Sequence, residues 1–134
     1  MARRDMPRFV ILRHDCPPGY QRDLHWDFML EADGVLKTWA LSQEPAGQSE
    51  IAAEMLADHR LAYLDFEGPV SGGRGTVSRW DRGTYRLVSR QEGEWIVELL
   101  GERLSGRATL SRSSADEQGW RWQFAAAGPL TGLR

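Results

Sequence analysis

From Leu24 to Glu31 large apolar residues recur at every second position, with Met29 the one apolar residue on the opposite face, and this constrains the fold more than any other feature of the chain. Leu24, Trp26, Phe28 and Leu30 share one face; His25, Asp27, Met29 and Glu31 share the other. A period of two is a strand with one buried face, because successive side chains of an extended backbone point to opposite sides. Asp33-Gly34 is a hairpin-turn signal, and Val35 to Leu41 reads as the returning strand. Phe9-Val10-Ile11-Leu12, ending at His14-Asp15, is a further β-prone run, and the Pro- and Gly-rich Cys16 to Tyr20 is a loop.

Downstream, short apolar runs recur with turns between them. Thr76 to Trp80, Thr84 to Ser89, Glu94 to Leu100, Arg107 to Arg112 and Trp120 to Phe124 are predicted strands. The predicted turns are Asp81-Arg82-Gly83, Gln91-Glu92-Gly93 and Ser113 to Gly119. One helix is expected, capped by Ser49 and running to about Asp58, with Ile51, Met55 and Leu56 on one side. The expected fold class is mainly β: a small closed or nearly closed antiparallel β-barrel with one short flanking helix. Its 134 residues suit a single domain, with a core over about residues 8–124 and an irregular tail over 125–134. Five of the six tryptophans (Trp26, Trp39, Trp80, Trp95 and one of Trp120 or Trp122) fall in alternating patterns and are expected in the core.

Composition narrows the function classes. A single cysteine, Cys16, can form no internal bridge, so a reducing compartment is the default. No run of about 18 apolar residues suggests a membrane span. Met1 to Asp5 is charged and leads into a strand rather than into the apolar stretch of an export signal, so a cytoplasmic chain, read as a monomer, is expected. With 17 basic and 19 acidic residues the net charge is −2, which argues against nucleic-acid binding by overall charge but leaves room for a local basic patch. All the cations but Lys37 are arginines, the side chain suited to bidentate phosphate contact.

All three histidines lie in the first 59 residues. His25 and Asp27 share a strand face, and His14 ends the preceding strand and can turn onto the same place. Two imidazoles and a carboxylate suit Mn²⁺, Zn²⁺ or Fe²⁺ and leave positions open for substrate or water; the same residues also read as plain polar groups on a sheet face. His59 and Tyr63 form a second pair, able to donate to a phosphate oxygen or to protonate a leaving group, or else a helix-end histidine beside a packed tyrosine. Gly72-Gly73-Arg74-Gly75 reads as an anion-binding loop or as a hairpin turn. Cys16 has no neighbouring base in the sequence and no catalytic role is expected of it.

Taken in order, these segments resemble the 3′-phosphoesterase domain of bacterial DNA ligase D. The resemblance rests on Phe9-Val10 to His14-Asp15, on Leu24-His25-Trp26-Asp27-Phe28 to Glu31, and on Asp33-Gly34-Val35-Leu36-Lys37 with Trp39-Ala40. It continues through Asp58-His59, Leu61, Tyr63 and Asp65-Phe66-Glu67-Gly68, then Gly75-Thr76-Val77, Trp80-Asp81, Gly83-Thr84, Gly101, Leu104 and Gly106-Arg107. It implies a compact β-barrel in which His14, His25 and Asp27 hold Mn²⁺ while His59 and Tyr63 meet the scissile phosphate. The implied activity, a DNA repair function, removes a 3′-terminal ribonucleoside and then the 3′-phosphate of a primer strand, leaving a 3′-OH for separate ligase or polymerase partners. The family's arginine two residues past the metal aspartate is Met29 here, a second falls near Ile51, and the family lysine appears as Gln43 or Glu44. Arg74, Arg13 and Arg60 are the candidates to grip phosphate instead, and Asp15 and Glu31 the candidates to orient the histidines. Without those arginines, a non-catalytic module that binds DNA ends or a repair partner is the alternative.

Overall fold

In the computed structural model, residues 6–20, 22–46, 50–113 and 119–127 are described. Nine antiparallel strands account for most of them: β1 (Arg8–Asp15), β2 (His25–Ala32), β3 (Val35–Leu41), β4 (Glu50–His59), β5 (Gly68–Pro69), β6 (Thr76–Gln91), β7 (Glu94–Gly101), β8 (Ser105–Arg112) and β9 (Gly119–Ala126). Eight of them pair in the order β1-β2-β3-β4-β9-β8-β7-β6, and β6 returns to β1, so the sheet forms a nearly closed ring. β5 is a two-residue addition on β6. The β2–β3 turn places Asp33 at φ 58° and Gly34 at φ 80°, the paired positive values of a tight hairpin.

The inside of the ring is aromatic. All six tryptophans are buried, Trp120 and Trp122 both included. Trp39 meets Trp95 and Trp120 edge to face, each at 5.6 Å, and Phe28 meets Trp122 at 4.9 Å, the arrangement that the ring quadrupoles favour. Outside the ring, Val10, Leu12, Met29, Leu36 and Val77 form a second apolar cluster. Leu64, with Tyr63, Phe66 and Val70 packed alongside, covers it from the segment between β4 and β6. Polar residues of β2 on this face are therefore buried under a second layer instead of facing solvent.

Two expectations are corrected. Residues 50–59 are β4, not a helix, and the only helical element among the described residues is the 3₁₀ turn Leu61–Leu64; Ser49 lies outside them. Local composition favours a helix there, but β3 and β9 both need a partner. β4 supplies it, pairing Leu41 with Ala53 and Trp122 with Ile51, so tertiary pairing overrides propensity. Ile51 accordingly sits in the core, 2% exposed. Asp81-Arg82-Gly83 is not a turn either, since β6 runs through it with a bulge opposite Ile11 and Leu12. The Asp81 carboxylate is buried and accepts the backbone N–H groups of Arg82, Glu102, Arg103 and Leu104 at 2.8–2.9 Å, so its polarity serves the β7–β8 turn. β9 also continues through Ala125 and Ala126, two residues into the expected tail; residues 128–134 and 114–118 lie outside the described set.

Candidate functional site

The β1–β2 register sets His14 directly opposite His25, and Leu12 opposite Asp27. All four side chains lie on the outer face, where the 60–75 segment roofs them. The two imidazole rings are 4.7 Å apart. Asp27, 3% exposed, lies between them, with Oδ2 3.3 Å from His14 Nδ1 and Oδ1 3.1 Å from His25 Nε2.

The other nitrogen of each ring faces a backbone carbonyl. His14 Nε2 is 2.7 Å from the Arg74 oxygen and His25 Nδ1 is 2.8 Å from the Asp23 oxygen. A carbonyl only accepts, so each of these nitrogens carries the proton. In the neutral rings, His14 Nδ1 and His25 Nε2 then turn lone pairs toward Asp27. Asp27 Oδ1 is buried with no hydrogen-bond partner among the described residues. Three acceptors facing one another is the arrangement that a cation completes, with backbone carbonyls fixing the imidazole tautomers behind it. Without a cation the same geometry favours a proton on His14. The hydrogen bond that a protonated His14 Nδ1 donates to the Asp27 carboxylate raises the His14 pKa. Burial pushes the Asp27 carboxyl up, but the two histidines outweigh it and hold it below the usual range.

Gly75 makes this possible. Its φ is +97°, and a Cβ there would stand 2.0 Å from the Asp15 carbonyl oxygen. Only a glycine lets the loop press on the end of β1 and bring the Arg74 carbonyl to His14.

Cys16 joins the same cluster: donor atoms of His14, Cys16 and His25 lie within 4.8 Å of one another, and the three could hold a metal ion. Its Sγ is 3.9 Å from His25 Nδ1, the protonated nitrogen, and burial pushes its pKa up, which favours the thiol over the thiolate.

The cleft over these residues, about 260 Å³, is lined as well by His59, Tyr63, Arg74, Arg22, Tyr20 and Met29. The two predicted pairs thus share one cavity. His59 ends β4, where Leu36 is its partner. Its Nδ1–H donates to the Ala57 carbonyl at 2.9 Å, leaving Nε2 for other work, and its ring meets Tyr63 edge-on at 5.6 Å. Met29, 1% exposed, contributes to an apolar floor with Leu12 and Val77.

Other sequence candidates fall elsewhere. Arg74 lines the cleft, but its guanidinium bonds the Ser71 carbonyl at 2.7 Å and the Ser71 hydroxyl at 3.1 Å. Arg13, a candidate to grip phosphate, and Asp15, a candidate to orient a histidine, project to the opposite side of β1 and pair with each other at 3.3 Å, and neither lines the cleft. Arg60 lines a neighbouring hollow with Phe66 and Pro69. Glu31 accepts the Arg8 backbone N–H at 2.9 Å; four residues along β2 from Asp27, it is about 13 Å away. The groups behind the histidines are backbone carbonyls, which no side-chain pattern announces. Arg22, ion-paired with Glu54 at the cleft wall, is a further residue that sequence reasoning missed; its one signal was its place in the loop joining the two histidine strands.

Ring and cleft together define an antiparallel β-protein with a candidate metal site built on two histidines. Over residues 17–112 the sequence matches the DNA ligase D 3′-phosphoesterase domain family, and the chain belongs to that family. It is similar to the multifunctional non-homologous end joining DNA repair protein LigD of Mycobacterium tuberculosis, with 38% identity over 123 residues, covering 85% of this chain and 15% of that protein. The multifunctional non-homologous end joining protein LigD of Pseudomonas aeruginosa is 34% identical over 130 residues, covering 90% of this chain and 15% of that protein. The chain therefore spans about 15% of the length of these relatives. Among its described residues no helix is long and apolar enough to cross a membrane.

Proposed function

We propose that the chain is a metal-dependent phosphoesterase that trims nucleic-acid 3′ ends in DNA repair, removing a 3′-terminal ribonucleoside and then the 3′-phosphate. The observation that carries this reading is the convergence of His14 Nδ1, His25 Nε2 and Asp27 Oδ1, three acceptors with no proton to share once both outer nitrogens have donated to carbonyls. These residues fit a divalent ion, and an imidazole–carboxylate set suits Mn²⁺ among several first-row metals. Such an ion, when bound, would polarise a phosphoryl oxygen and offset the charge developing on it.

The chain's own groups do the rest. His59, held by the Ala57 carbonyl through Nδ1, presents Nε2; when that nitrogen is protonated it donates to the departing oxygen as a general acid. Tyr63 lines the same cleft, and its hydroxyl orients a phosphate oxygen by donation. Arg22 supplies a guanidinium at the wall, once released from Glu54. The substrate is a primer–template 3′ end, and ligase or polymerase proteins act on the product.

A gel assay tests this with a 5′-labelled primer–template ending in one ribonucleotide or in a 3′-phosphate, incubated with Mn²⁺. Conversion to a 3′-OH end, abolished by EDTA and by His25→Ala, is expected. Unchanged conversion by His25→Ala would refute the site. A second reading, an end-binding module without turnover, is favoured by Met29 occupying the cleft floor and by Arg74 being tied to Ser71. It predicts end binding without product at enzyme excess, with trace activity raised by Met29→Arg.

A further inference from the structure

One end of the ring gathers arginines away from the cleft. Arg13 lies near the end of β1, Arg79 near the start of β6, and Arg103 on the β7–β8 turn; together with Trp26, Trp80 and Glu44 they line a hollow of about 540 Å³. Its lining carries three guanidiniums against the Glu44 carboxylate, with Arg13 also paired to Asp15 at 3.3 Å, on a chain whose overall charge is −2. The arrangement is built, not incidental. The Asp81 carboxylate anchors the turn by accepting the Arg103 and Leu104 N–H groups at 2.9 Å, and the Arg103 guanidinium lies 4.5 Å above the Trp80 ring. Glu44 is occupied with the Trp80 indole N–H at 2.7 Å and stands 3.9 Å from Arg103. Arg79 Nε is buried with no hydrogen-bond partner among the described residues.

The hollow and the cleft are back to back. Arg13 precedes His14, and Trp26 lies between His25 and Asp27; adjacent residues of a strand face opposite sides. The two sites are thus one residue apart along both β1 and β2, at Arg13 and His14 and at Trp26 with His25 and Asp27.

We propose that this arginine–tryptophan hollow is a second contact site, which grips the phosphodiester backbone of the nucleic acid just upstream of the 3′ end held in the cleft. It rests on the reading of the chain as a nucleic-acid end-processing protein. The site recognises phosphate and not sequence: guanidiniums offer charge and paired donors, and no base-reading set of amides accompanies them.

The test is fluorescence anisotropy of a labelled primer–template against the full chain in EDTA, with NaCl varied, so that binding is read without turnover. Removing one arginine–phosphate pair should lower the slope of log K against log salt by about 0.9 on duplex DNA. Arg13→Gln with Arg103→Gln is thus expected to lower the slope by about 1.8. Arg13→Lys with Arg103→Lys should restore most of it. Arg86→Gln with Arg107→Gln removes the same charge from outside the hollow's lining, where both pair with Glu98, and should leave the slope unchanged. Equal slopes for the two glutamine pairs, or no salt-dependent binding by the native chain, would overturn the proposal. Arginine-dependent binding with no cleavage in Mn²⁺ would instead refute the phosphoesterase reading and leave this site standing.

Discussion

A methyl group at Gly75 tests the link between loop and metal site. In Gly75→Ala the new Cβ would meet the Asp15 carbonyl oxygen at 2.0 Å, the Asp15 carbonyl carbon at 3.0 Å and Cys16 Cα at 3.1 Å. These are backbone atoms in or beside a paired strand and cannot rotate away. A carbon–oxygen contact relaxes at about 3.3 Å, so the loop must retreat by more than about 1 Å. The Arg74 carbonyl, 2.7 Å from His14 Nε2, travels with it and passes out of hydrogen-bonding range. His14 then loses the partner that fixes its tautomer. Removing such a group behind a metal ligand weakens metal binding by about 10–100-fold, or about 1.4–2.7 kcal/mol. The positive φ of +97° adds about 1–2 kcal/mol of folding cost for any side chain. Gly73→Ala separates the two effects, because its φ is +68° but its Cβ would meet nothing within 4 Å. Calorimetric titration with Mn²⁺ and thermal melts in EDTA read both quantities. Both variants should melt lower, and only Gly75→Ala should lose Mn²⁺ affinity beyond about threefold. Equal Mn²⁺ affinities for the two would refute the idea that the Arg74 carbonyl positions His14.

Asp27→Asn keeps the shape of the side chain but removes the charge shared by both histidines, and calorimetry should show Mn²⁺ binding weakened by more than about 100-fold, past the range for an outer group. Tyr85 is pushed up to about 12 by burial and by the charge of Glu31, so folding favours its protonated form. Denaturation midpoints should therefore hold up to pH 10 and fall from pH 10 towards 12, a fall that Tyr85→Phe reduces. Trp39→Ala, at a fully buried position meeting Trp95 and Trp120, should lower the unfolding free energy by about 3–5 kcal/mol in urea melts.

Most of the strand set was legible because it rests on period two, a property of neighbouring residues alone. The alternation from Leu24 to Glu31 put Trp26, Phe28 and Leu30 in the core and His25 and Asp27 together on the other side, as the structure has them. Residue types at that spacing were enough to name a candidate metal site and to pair His59 with Tyr63. Three things required the folded chain. β4 is a strand because the edges of β3 and β9 must be paired to close the ring, a demand that no local propensity encodes. The surroundings of His14 and His25 are backbone carbonyls from Arg74 and Asp23, and every residue has a carbonyl, so the sequence does not mark these two. The third is which side of β1 meets the cleft: Phe9 to Leu12 is apolar at every position and buried on both faces, so only the pairing of β1 with β2 and β6 sends His14 to the cleft and Arg13 to the rim of the ring. Local pattern determines which residues share a face; long-range pairing determines what that face meets.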